Sequence, residues 1–165
     1  MLKTSSTKRS TTIFLQGVIV LIGIGTIIFL LWEPHIEGRN INSTLFQIYF
    51  NDPFLAYAYT ASIAFFIALY QAFKLLGNIK RDEVFSQSSL KALRTIKYCC
   101  MTTIGFILPA VAYLFIVRPE DDIAGGIFMG ILVFFISIVF ATVASVFEKI
   151  LQSAIDIKSA NNLQI

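Results

Sequence analysis

The chain has 165 residues, of which 56% are hydrophobic and 14% charged, with a mean hydropathy of +0.76. A water-soluble domain must cover itself with polar groups, and a short chain keeps too large a share of its surface exposed for this composition to do so. That excludes a soluble globular fold, leaves no room for a second domain, and makes the net charge of +3 no argument for nucleic acid, whose direct binding is not expected.

The first apolar run extends from about Thr12 to Trp32. As a helix it is about 31 Å long, enough for a hydrocarbon core of about 30 Å. Lys3, Lys8 and Arg9 precede it as in a signal peptide, but the run is longer than a signal's apolar core and no small-residue cleavage pattern follows. It passes instead into Trp32-Glu33-Pro34, an interfacial aromatic and then an expected helix stop, so it reads as a retained anchor.

The second run covers about Phe54 to Leu76. Asp52 is placed to cap it, Pro53 suits the first turn, and Gly77-Asn78 is the expected end, with Lys74 in the last turn where a cation suits the helix dipole. The third covers about Ile96 to Val117, its helix beginning near Ser86 as a basic amphipathic extension, with Pro109 expected to kink it. The fourth covers about Ile123 to Phe147. Phe147, Ile150, Leu151 and Ala154 recur at helical spacing beyond it, so the helix is expected to continue to about residue 160, with the tail from Ser159 fraying.

The predicted fold is therefore all-α: one membrane domain over residues 1–165, with transmembrane helices at 12–32, 54–76, 96–117 and 123–147 and extensions at 86–95 and 148–160. Four passes put both termini on one side. Lys3, Lys8, Arg9, Lys74, Lys80, Arg81, Lys91, Arg94, Lys97, Lys149 and Lys158 fall on that side, and only Arg39 and Arg118 on the other. Short loops obey the positive-inside rule, which predicts an antiparallel bundle with both termini cytoplasmic. The basic inner face also attracts anionic lipid; an acidic protein partner is the alternative use for it.

Helices in lipid associate where small residues let backbones approach. Ala61, Ala64, Ala68 and Ala72 form one such face on the second span. Gly126 and Gly130 form a GxxxG on the fourth, continued by Ser137, Ala141 and Ser145. These seams are expected within the bundle, with a homodimer as the other use of the GxxxG. A short outer loop, 118–122, makes the last two spans neighbours, so Leu90 and Leu93 can meet Ile150, Leu151 and Ala154 on an apolar platform just inside the membrane.

Chemistry-bearing patterns are sparse. No ionisable residue falls at the centre of a span, which disfavours a proton-coupled pump. Gln16, Gln71, Thr26, Ser62, Thr102 and Thr103 are the polar groups there, suited to hydrogen bonds between helices. His35 with Glu33 and Glu37 falls short of a metal site's ligand set, and Glu120-Asp121-Asp122 reads as a solvated turn. Cys99 and Cys100 are sequence neighbours pointing apart on a helix and read as interface filling, with lipidation as the lesser alternative. Asn42-Ser43-Thr44 is a weak glycosylation pattern. No catalytic residue, metal or cofactor is expected.

Two stretches carry a resemblance. The middle loop Asp82-Glu83-Val84-Phe85-Ser86 with Leu90-Lys91-Ala92-Leu93-Arg94-Thr95-Ile96, and the tail from Val146-Phe147-Glu148 to Asn162-Leu163-Gln164-Ile165, resemble the bacterial membrane-protein family called domain of unknown function 2975. The likeness covers most of the chain from about Phe54 onward, and Gln164 stands where the family often shows Thr. It implies a bacterial inner-membrane protein, encoded near small helix-turn-helix regulators, and brings no catalytic residues with it. The expected function is a non-enzymatic interaction or regulatory protein, docking a partner such as a small helix-turn-helix regulator through Phe85, Leu90, Arg94, Phe147 and Leu151. A small transporter or oligomeric channel subunit, with Gln16, Ser62 and Thr102 converging on one cavity, is the alternative.

Overall fold

A computed structural model describes residues 2–36, 42, 44–50, 53–117 and 123–162, with side chains from Arg9 and up to Ala160 in the first and last helices. Five helices result: α1 (Leu2–Ile36), α2 (Leu45–Phe50), α3 (Pro53–Lys80), α4 (Gln87–Val117) and α5 (Ala124–Asn162). Four of them are long and apolar enough to cross a membrane, over Arg9–His35, Pro53–Lys80, Gln87–Val117 and Ala124–Ala160. The expected Asp52 cap, Glu37 and Arg39, the turn 118–122 and the tail 163–165 lie outside the described residues.

The long helices make their substantial contacts in chain order: α1 on α3, α3 on α4, α4 on α5. They form a row, and the two outer helices share no packing comparable to these. Buried side chains are few, whereas Phe14, Leu21, Ile116 and Phe128 are among many large apolar groups left exposed. Lipid gives helices no apolar drive to close on one another, so this arrangement is sufficient there.

α1 runs through Pro34 instead of stopping at it. Proline has no N–H, so the carbonyl of Leu30 loses its helical partner. Tyr59 of α3 donates its hydroxyl to that carbonyl at 3.0 Å, so the neighbouring helix satisfies the group the proline frees. Tyr49 donates its hydroxyl to the next carbonyl, of Leu31, at 2.9 Å.

α2 was not expected. Thr44 and Gln47 build its cap: Thr44 N–H donates to Gln47 Oε1 (2.9 Å), and Gln47 N–H donates to Thr44 Oγ1 (3.4 Å). Its Phe46 and Phe50 are stacked and exposed.

Pro53 opens α3 as expected, but Gly77 and Asn78 lie inside the helix, which ends at Lys80. Their roles are packing and bonding. Gly77 faces Gln16, whose Nε2 would be 3.8 Å from an added Cβ. Asn78 anchors the turn into α4, where Asp82 takes a left-handed conformation (φ 60°) that Asp tolerates better than most residues. Ser86 caps α4, accepting from the Ser89 N–H at 3.2 Å. The fully buried Ser89 hydroxyl donates to the Glu83 carbonyl and accepts from Asn78 Nδ2 (3.0 Å) and Ser86 Oγ (3.1 Å). One donor and two lone pairs are thus all used.

Pro109 lies inside α4 and removes the partner of the Gly105 carbonyl. At the adjacent carbonyl, of Phe106, Tyr57 of α3 donates its hydroxyl at 2.8 Å. The Gly126–Gly130 pair of α5 faces α4: an added Cβ would lie 3.3 Å from Leu114 Cδ1 at Gly126 and 3.2 Å from Val111 Cγ2 at Gly130. Of the alanine face on α3, Ala64 is buried while Ala61 and Ala68 are half-buried.

Candidate functional site

The charged end of the row carries two distinct features. The first is a projecting helix pair. α5 has 39 residues and α4 has 31. At about 1.5 Å per residue they are about 58 and 46 Å long, against a hydrocarbon core of about 30 Å. Leu90 and Leu93 of α4 and Leu151 of α5 form a buried cluster, with Leu75 of α3 and Ile155 packed against it.

Beside this cluster, Glu148 accepts from Arg94 Nε at 2.9 Å and from Lys97 Nζ at 2.6 Å. Those two hydrogen bonds, Lys97 first and then Arg94, hold the Glu148 carboxyl below the ordinary glutamate range. The pair therefore clamps α4 to α5.

The five expected partner-contact residues separate here. Leu90 and Leu151 are 3% and 6% exposed and face the internal cluster, so they hold the platform together and cannot also touch a partner. Phe85 and Phe147 are exposed, and Arg94 is half-exposed but engaged by Glu148. Ile150 does not join the cluster. With Phe147 and Ile157 it is exposed on α5, and the spacing of these three places them on one helix face. The packing of α4 separates the two sets. Leu151 and Ile155 are four apart on the inner face, and 147, 150 and 157 lie on the outer one.

The second feature is a cleft of about 740 Å³ lined from α1 by Arg9 and Gln16, from α3 by Tyr70, Phe73, Lys74, Gly77, Asn78 and Lys80, from the following turn by Arg81 and Glu83, and from the start of α4 by Ser88. Gln16 donates to the Phe73 carbonyl at 3.3 Å and forms part of its wall. Ser62 turns to its own helix, donating to the Tyr59 carbonyl at 2.7 Å, and Thr102 is exposed on α4. Gln16, Ser62 and Thr102 thus do not share this cavity.

His35 Nδ1 lies 3.0 Å from the Leu31 carbonyl and 3.3 Å from the Tyr49 hydroxyl, so it is used in the α1–α2 contact. Among the described residues no group of three His, Cys, Asp or Glu side chains is placed to hold a metal. Cys99 is buried and Cys100 half-buried within α4.

Residues 42–165 match the family described as protein of unknown function (DUF2975). The chain belongs to the DUF2975 family. It is also 40% identical over 162 residues to the uncharacterized membrane protein YoaS of Bacillus subtilis (strain 168), a likeness covering 95% of this chain and 99% of that one. No solved structure matches. The family match takes in the α3–α4 turn, the Glu148 clamp and the projecting pair, whereas Arg9 and Gln16 precede it. The DUF2975 chain is thus a membrane protein with four candidate spans.

Proposed function

We propose that this DUF2975 protein is a non-enzymatic, antiparallel four-pass protein of the bacterial cytoplasmic membrane. Both termini face the cytoplasm, and a cytoplasmic protein partner docks on the projecting α4–α5 pair. The partner class is a small regulator presenting an apolar helix face.

The observation that carries this reading is the length of α4 and α5 beyond what a bilayer needs, combined with a sealed internal cluster and an unused apolar face outside it. A helix pair that has buried Leu90, Leu93 and Leu151 internally still presents Phe147, Ile150 and Ile157 outward. These anchors are three and seven positions apart, spacings that put apolar groups on one helix face as in helix-in-groove recognition. Orientation is supported by the excess of Lys and Arg at that end. The opposed direction of neighbouring helices is supported by the contacts Gln16–Phe73 and Tyr59–Leu30, Phe54–Tyr113 and Asn78–Ser89, and Leu114–Gly126 and Arg94–Glu148.

The test is photocrosslinking in native membranes from a benzoylphenylalanine placed at position 157. One discrete cytoplasmic protein adduct is expected, lost when Ile150→Asp is introduced. Recovery of only lipid and the protein itself would overturn the docking reading.

A further inference from the structure

We propose that the cleft between α1 and α3 is a binding site for a phosphate group, of the kind carried by an anionic phospholipid headgroup or by a soluble phosphoester. Four cations, Arg9, Lys74, Lys80 and Arg81, line it against one carboxylate, Glu83. Among the described residues none of the four is within ion-pair distance of a carboxylate, while Arg94 and Lys97 at the same end are both paired to Glu148. Among the described residues the cleft therefore gathers four cations against one carboxylate, an excess of positive charge in a concave site.

Helix-dipole complementarity and membrane topology account for Lys74, Lys80 and Arg81 at the end of α3. Topology accounts for Arg9 as well, but neither effect accounts for the gathering of the four around one cleft between two helices. An anion bridging Arg9 and the α3 cations relieves their mutual repulsion and joins two helices that otherwise meet lightly. Guanidinium groups suit phosphate because their planar donors match its oxygens.

The remaining wall fits the rest of such a molecule. The Tyr70 hydroxyl has no hydrogen-bond partner among the described residues and lies on the rim as a further donor. Phe73 and Gly77 supply apolar surface. The volume of about 740 Å³ exceeds what phosphate alone fills and has room for a glycerol backbone. The cleft also lies where the apolar spans end, the depth of lipid headgroups, and basic pockets between membrane helices are suited to those groups.

The experiment uses the full chain in neutral detergent, with native mass spectrometry after addition of phosphatidylglycerol or phosphatidylcholine, and a parallel titration with glycerol 3-phosphate. Two variants remove cleft charge, Arg9→Gln/Lys74→Gln and Lys80→Gln/Arg81→Gln. Lys149→Gln/Lys158→Gln removes the same charge from α5. Helicity and gel-filtration position are checked for all three, and the pair at 80 and 81, at the exposed end of the helix, keeps the test valid if the first variant fails to fold.

Selective retention of phosphatidylglycerol, weakened about thirtyfold by either cleft variant and unchanged in the α5 control, supports the site with lipid as the source. Binding of glycerol 3-phosphate with the same pattern and no lipid adduct supports the site with a soluble source. Equal binding by cleft and control variants, or no binding of either probe by the parent chain, overturns the proposal.

Discussion

On the α4–α5 side of the row, helices are joined side chain to side chain; on the α1–α3 side, the hydrogen bonds run from side chain to backbone. Glu148 takes both Arg94 and Lys97, and Leu90, Leu93 and Leu151 interlock beneath them. α1 is held by Tyr59 on the Leu30 carbonyl and Gln16 on the Phe73 carbonyl, and a Cβ added at Gly23 would lie 3.6 Å from Leu69 Cδ1. The first kind of joint depends on residue identity at both partners and yields a fixed unit. The second kind depends on one side chain and a backbone carbonyl, and leaves room for a cleft. A fixed unit suits a docking platform, and a lightly joined pair suits a ligand that bridges it.

The comparison breaks most readily at the apolar cluster. Leu90→Ala should lower stability by about 2–5 kcal/mol, seen as a large fall in thermal midpoint in detergent. The same truncation at Leu69 on the other side should cost much less. Equal losses would show that the two sides do not differ.

Glycine substitutions sharpen the contrast. Gly130→Ile drives a branched side chain into Val111 and Ile107 and should cost about 1–3 kcal/mol, with loss of the monodisperse gel-filtration peak. Gly25 has open space around it, so Gly25→Ile should elute unchanged. If Gly130→Ile altered only the oligomeric state, the seam would belong between copies.

Ser89→Ala removes the hydroxyl that ties Asn78, Ser86 and the Glu83 carbonyl together, and should cost about 1–3 kcal/mol with faster proteolysis at residues 81–86. The smallest effects come from single polar joints. Because the Glu148 carboxyl is held low in the fold, its contribution is complete above the unfolded glutamate range and fades as pH falls through the depressed folded value. A thermal-midpoint profile from neutral to acid pH should show that loss, and Glu148→Gln, about 1 kcal/mol less stable at neutral pH, should flatten it. Tyr59→Phe should cost about 1 kcal/mol and raise hydrogen exchange near Leu30 without changing α4 or α5.

Much of this was legible in the sequence because length and hydropathy alone locate a span. The Ser86 cap, Pro53 at the start of α3 and the Gly126–Gly130 seam also follow from residue type. The structure differs where neighbours supply what the local sequence lacks. Pro34 looked like a stop because only the helix's own donors were counted, and Tyr59 comes from another helix. Gly77 looked like a terminator but is a notch for Gln16. The Thr44–Gln47 capping box was present in the sequence and marks α2, whose six residues are too short for a periodicity argument. At the candidate site, Leu151 and Ile150 are equally apolar neighbours, and only the packing of α4 decides which one turns inward. The cleft residues were visible as charges, but their gathering from two helices was not.

The direct test of the account is cysteine accessibility in intact cells, with Cys99 and Cys100 replaced by Ala and single cysteines placed at Asn42 and Ile157. A membrane-impermeant maleimide should label position 42 in intact cells and position 157 only after the membrane is opened. Labelling of position 157 from outside, or of both positions from the same side, would contradict a protein whose projecting helix pair faces the cytoplasm.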